Sequence, residues 1–150
     1  MSAPYWKLRS KVQDAVVAYI LATDDPSIPV LKGFSNEAVT EPFVLVVADK
    51  MSPYIDSVVS QESATRIVTL SVEIRSQAED VNGIGMYEYH AKLVGRVMDA
   101  LNDADIVAAL NSTTVEDLTI QQFDLHDETQ AVEENSIRTK QEIAVVCLPS

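Results

Sequence analysis

Few side chains in this sequence have the types and spacing that chemistry needs. Gly83-Ile84-Gly85 stands between a strand-like run and a helix-like run, where a glycine pair can open a phosphate-binding turn. A dinucleotide fingerprint needs a third glycine three residues after the second, so that helix and strand can pack closely. That position holds Glu88, bulky and anionic; a polar loop separates the strand from the glycines, and no P-loop lysine follows. The pair therefore fits a sharp turn into a helix better than a phosphate cradle. Gly95, inside the following helix, costs about 1 kcal/mol relative to alanine, which close packing would offset. His90 and His126 are far apart in sequence, and His90 shares a helix face with Tyr87 and Val94, as a packed or rim histidine does. Cys147 lies at an apolar strand end and reads as an inert buried thiol. Nothing local supports a Cys–His nucleophile pair. Asp99, Asp103 and Asp105 lack the glycine and terminal glutamate of a calcium loop, so capping explains them better. Asn111-Ser112-Thr113 matches a glycosylation acceptor, but no apolar signal core accompanies it near the N-terminus. These residues predict no catalytic group, no metal site and no cofactor.

Charge narrows the partners. The net charge is -12. Lys7, Arg9 and Lys11 cluster early, whereas between Arg96 and Arg138 ten acidic residues occur and no basic one. Such a surface repels phosphate backbones, so specific nucleic-acid binding is not expected. Solubility alone would account for a solvated acidic face. A length of 150 residues with 47% apolar residues suits a single domain with a real core. No apolar run is long enough to span a membrane. One cysteine leaves no internal disulfide and fits a reducing compartment.

The elements that would position these groups can be read from periodicity. Tyr5, Leu8, Val12, Ala15, Val16, Tyr19 and Ile20 recur at helical spacing, with Pro4 in the first turn, and the helix should stop before ATDDPSIP. A short strand is expected around Val30-Leu31, and PFVLVVADK reads as a strand covered on both faces. MSPYIDSVVSQESA has no clean period and is unusually apolar, as an extended loop or hairpin arm would be. In TRIVTLSVEIRSQ, Val68, Leu70, Val72 and Ile74 point one way, and Thr69, Ser71, Glu73 and Arg75 the other. The second face is wet or meets another subunit. Ile84, Tyr87, Ala91, Val94, Met98 and Leu101, widened by Val97, form the apolar stripe of a long helix, with Glu88 and Lys92 paired outside. Asp103 is placed to cap a second helix, DADIVAALN, with Asn111 near its end. VEDLTIQQFDLHD is a strand whose parity switches between Ile120 and Phe123, a bulge signal, and SIRTKQEIAVVCL is a second strand. The sum is an α+β domain: a mixed, mainly antiparallel sheet with two main helices packed on one face, plus an extended hairpin arm.

The layout resembles the small tail-terminator and neck (head–tail joining) proteins of tailed bacteriophages. The likeness lies in an amphipathic first helix, YWKLRSKVQDAVVAYIL, then VTLSVEIRSQAEDVNGIGMYEYHAKLVGRVMDALN, and a terminal strand such as RTKQEIAVVCL. It covers nearly the whole chain and rests on order and spacing, because the family has no short diagnostic motif. The resemblance implies a homo-oligomeric ring, typically a hexamer, that caps the tail tube and joins it to the neck within the virion. Assembly would take place in the host cytoplasm. It carries no catalytic residue and no membrane partner. DNA would pass through without specific binding, and Asp124, Asp127, Glu128, Glu133 and Glu134 are candidates for an acidic lumen, or equally for an acidic outer wall. Met51, Pro53, Tyr54 and Ile55 are candidates for a docking arm, or for residues folded back onto their own core. Two rivals stand beside this reading: another virion joint, such as a head-completion or baseplate adaptor, and a small cytoplasmic enzyme or ligand-binding domain using His90, Cys147 or the Gly83–Gly85 turn.

Overall fold

The computed structural model describes residues 8–24, 29–33, 42–53, 65–77, 85–113, 118–132 and 136–149. Among these residues, three helices and five strands occur in the order α1 (Leu8–Asp24), β1 (Val30–Lys32), β2 (Phe43–Pro53), β3 (Arg66–Gln77), α2 (Met86–Leu101), α3 (Ile106–Thr113), β4 (Leu118–Val132) and β5 (Ser136–Pro149). The strands form one sheet, β1-β2-β3-β5-β4. Only β1 and β2 pair in parallel; the other neighbours are antiparallel. This is the α+β architecture that the sequence pattern predicts.

Residues opposed across a ladder share a face of the sheet. Val44, Val46, Val68, Leu70, Val72, Ile74, Ile143 and Val145 fall on one face, and all are 0% exposed. The helices cover that face: Leu8, Val12, Val16 and Ile20 from α1, Leu93, Val97 and Leu101 from α2, and Leu110 from α3 join the same cluster. Burial of each large apolar side chain is worth about 1.5–3 kcal/mol, so this single layer-to-layer core dominates the stability. The opposite face carries Thr69, Ser71, Glu73 and Arg75 from β3, with Arg138, Lys140 and Glu142 from β5. Phe43 and Val47 of β2 lie on it too and are buried, so β2 is covered on both faces as its continuous apolar run predicts.

Several local expectations need correction. α1 runs through Asp24, past the stop expected before ATDDPSIP, and its predicted start at Pro4 and Tyr5 lies outside the described residues. The buried stripe of α2 is His90, Leu93, Val97, Ala100 and Leu101, whereas Tyr87 is 55% exposed and Ala91 is exposed. A polar histidine in the stripe hid its true phase. Gly95 makes no close approach to the sheet, since a Cβ built there meets nothing within 4 Å. α3 begins at Ile106, later than expected, because the Asp105 carbonyl accepts the first helical bond, from Ala109 N at 3.0 Å. The Asp103 carboxylate instead braces the preceding turn by accepting from Asp105 N at 2.9 Å. β4 carries the bulge foreseen between Ile120 and Phe123, and a second, unforeseen one between Leu125 and Glu128.

Candidate functional site

Gly85 is the N-cap of α2, with φ -61° and ψ 149°. That is extended backbone which any residue adopts, and its carbonyl accepts from Tyr89 N at 3.0 Å. The sharp-turn role given to this glycine is therefore not required by its conformation, and Gly83 with Ile84 lies outside the described residues. The glycine that does need its freedom is Gly33, at φ 66°, where the chain leaves β1 and its N–H donates to Val46 O at 2.9 Å.

Sequence reasoning missed a buried polar column. His90 Nδ1 lies 2.7 Å from Ser76 Oγ, and Nε2 lies 2.7 Å from Thr139 Oγ1. All three residues are buried. A serine beside an imidazole is the hardware of nucleophilic catalysis, but the nucleophile must meet a substrate. Here Ser76 is 0% exposed, so the group joins β3, α2 and β5 rather than presenting a reactive oxygen. Burial pushes the His90 pKa below 6.5, which favours the neutral ring. The histidine was visible in the sequence; its partners were not, because they come from two strands that only the fold brings together.

Cys147 is buried, and burial pushes its thiol up to about 11. It sits opposite Arg66 in the β3–β5 ladder, whereas the His90 partners Ser76 and Thr139 lie near that ladder's other end. The fold does not bring cysteine and histidine together. Among the described residues, no group of three or more His, Cys, Asp or Glu side chains could hold a metal ion. Asn111 of the glycosylation-like triplet is committed elsewhere: its Oδ1 accepts from Ile120 N at 2.8 Å and its Nδ2 donates to Ile120 O at 2.9 Å.

The candidate contact residues divide. Met51 is half-buried against the core on β2, opposite Val68. Pro53 ends β2 opposite Arg66, while Tyr54 and Ile55 lie outside the described residues. Asp124, Asp127 and Glu128 are exposed on β4, the strand at the sheet edge, and Glu133 and Glu134 lie outside the described residues. The second bulge of β4 is held by a side chain: Gln141 Nε2 of β5 donates to the carbonyls of His126 at 3.1 Å and Asp127 at 3.4 Å. On the sheet face opposite the helices, Glu73 accepts from Arg75 at 3.0 Å and pairs with Arg138 at 3.4 Å, with Lys140 opposite it on β5. The Arg75 guanidinium also stands over the Phe43 ring, 5.6 Å from its centre.

No family model and no curated protein sequence matches the chain. Its fold is similar to that of a solved chain from the virion of a native gene transfer agent particle, with a TM-score of 0.57 and 13% identity, covering 95% of each chain. At that identity the likeness establishes the shared fold. No helix among the described residues is long and apolar enough to cross a membrane.

Proposed function

We propose that this chain is a structural subunit of a phage-like virion, a ring protein that caps the tail tube and joins it to the neck. The observation that carries the reading is the end-to-end likeness to a chain of a gene transfer agent virion, which spans 95% of both chains. Agreement over nearly the whole of both chains suits a part whose role is its shape. Two features are in keeping with it. Ser76, His90 and Cys147, three of the chemically capable side chains among the described residues, are buried in the core. One face of the sheet carries no helix among the described residues, and small domains often complete such faces by symmetric assembly.

In this reading the exposed carboxylates of β4, Asp124, Asp127 and Glu128, face the channel and repel the passing DNA. The test is complementation. Particles made without this chain should accumulate tails and filled heads that do not join, and adding the purified protein should restore joined particles, counted by electron microscopy. Normal joining in its absence would sink the proposal. Joining that fails while rings appear at the baseplate end instead would move the protein to another virion joint.

A further inference from the structure

The α2–α3 turn and β4 border a groove of about 540 Å³, within the range of about 300–1,000 Å³ of sites that take an organic group. Ile106, Val107, Phe123 and Leu125 give it apolar walls, and Asp103 and Asp124 stand exposed on its rim. Among the described residues no basic side chain lines it. Its lining falls wholly in the stretch between Arg96 and Arg138, which holds ten acidic residues and no basic one. Such a groove suits an aromatic anchor flanked by cations: the ring fills the apolar floor, and Lys or Arg beside it meets the carboxylates.

The chain carries such a segment. Trp6 is its single tryptophan, followed by Lys7, Arg9 and Lys11. Its spacing takes Trp6 off the stripe that Leu8, Val12, Val16 and Ile20 bury. Trp6 and Lys7 lie outside the described residues, and Arg9 is exposed. Reach favours a groove on another copy. The Tyr19 hydroxyl meets the Asp103 carboxylate on the rim at 3.1 Å. Helical rise sets Leu8 about 16–17 Å from Tyr19 along α1, whereas Trp6, two residues before Leu8, extends only about 7 Å beyond it. We propose that the Trp6–Arg9 segment of one copy docks in the α2–α3 groove of a second copy, with the indole between the apolar walls and the basic side chains over Asp103 and Asp124. The contact joins unlike patches, head to tail, an arrangement that can close into a ring. The inference rests on the ring reading above and names the parts that make it.

Because Trp6 is the single tryptophan, its fluorescence reports the contact directly. In the assembled wild type the indole should emit to the blue and resist acrylamide quenching. Both properties should be lost as dilution or raised salt separates the copies, followed by light scattering. Ala104→Lys with Asp124→Lys changes two exposed positions on the groove. That variant should keep the wild-type melting curve, leave the indole open to quencher at every concentration, and weaken assembly by about tenfold or more. Trp6→Ala should weaken assembly equally; if its melting curve falls, the groove variant decides alone. An indole still shielded in the monomer and indifferent to the groove variant belongs to its own core, and the proposal falls. An indole shielded in the monomer but released by the groove variant sits in the groove of its own chain, which also overturns the exchange between copies. Assembly with the indole open to quencher means that other faces make the ring, so the proposal falls while the ring stands. A wild type that stays monomeric with and without tail tubes removes the ring reading itself, and this contact with it.

Discussion

The imidazole of His90 shows how a buried group links composition to pH. Its folded pKa lies below 6.5 because burial disfavours the charged ring. The unfolded chain therefore binds this proton first as pH falls. The stability it permits is complete above about pH 6.5 and declines on acidification from there toward the folded pKa. Urea unfolding at a series of pH values should show that decline, and His90→Gln should flatten the part of it near pH 6 while lowering stability throughout. An unchanged slope in the variant would mean the ring binds its proton equally well in the folded and unfolded chain. The residue scale is also where the sequence was hardest to read. His90 could be assigned to a packed helix, but Ser76 and Thr139 looked like ordinary polar strand positions, because hydrogen-bond partners from different strands leave no mark on local spacing. Tyr19 is a similar case: its hydroxyl donates to Ala100 O at 2.8 Å, 81 residues away, and fastens α1 to the end of α2.

At the level of elements, periodicity was informative wherever one face was purely apolar. The alternation of β3 survives intact, with Val68, Leu70, Val72 and Ile74 each at 0% exposure. It misled in α2 at Tyr87 and Ala91, which the packing leaves exposed, Tyr87 at 55%, whereas Val94, Val97, Met98 and Leu101 of the expected stripe do pack against the core. Gly95 follows from that rotation. It occupies a half-buried position with open space around it, so Gly95→Ala should stabilise the protein by about 1 kcal/mol through helix propensity alone. Thermal unfolding would register this as a higher Tm; a lower one would reveal a close neighbour at that site. Asn111 gives the opposite case. Its amide serves both backbone groups of Ile120, on the strand that ends the sheet, where no further strand pairs among the described residues. Asn111→Ala should cost about 1–3 kcal/mol and raise amide exchange locally at the start of β4. Loss of neither would mean that water replaces the side chain without penalty. The Glu88–Lys92 pair, foreseen from spacing and found at 3.5 Å with both side chains more than half exposed, contributes little by comparison.

For the whole molecule, the fold class was legible because the order of apolar patterns leaves few ways to cover one sheet with helices. The charge cluster of the sheet was not, because it is made by strands distant in sequence: Arg75 and Arg138 meet at Glu73 only once β3 and β5 pair. The arm keeps its two possible roles distinct by experiment. Changing Tyr54 and Ile55 to serine together should leave the folding free energy within about 0.5 kcal/mol if they dock outward, and should abolish tail joining; a loss of several kcal/mol would assign them to the core. One last consequence concerns alignment. A one-residue slip of β5 would expose its apolar set, but a two-residue slip keeps every side chain on its own face, and hydrophobicity alone hardly opposes it. The His90 bridge does oppose it: such a slip carries Thr139 about 6–7 Å along the strand and strands a buried ring nitrogen. The polar column thus acts as a ruler for β3 against β5. Replacing it with Ser76→Ala, His90→Leu and Thr139→Val should leave a folded protein whose backbone amides give doubled signals, two alignments of one sheet coexisting.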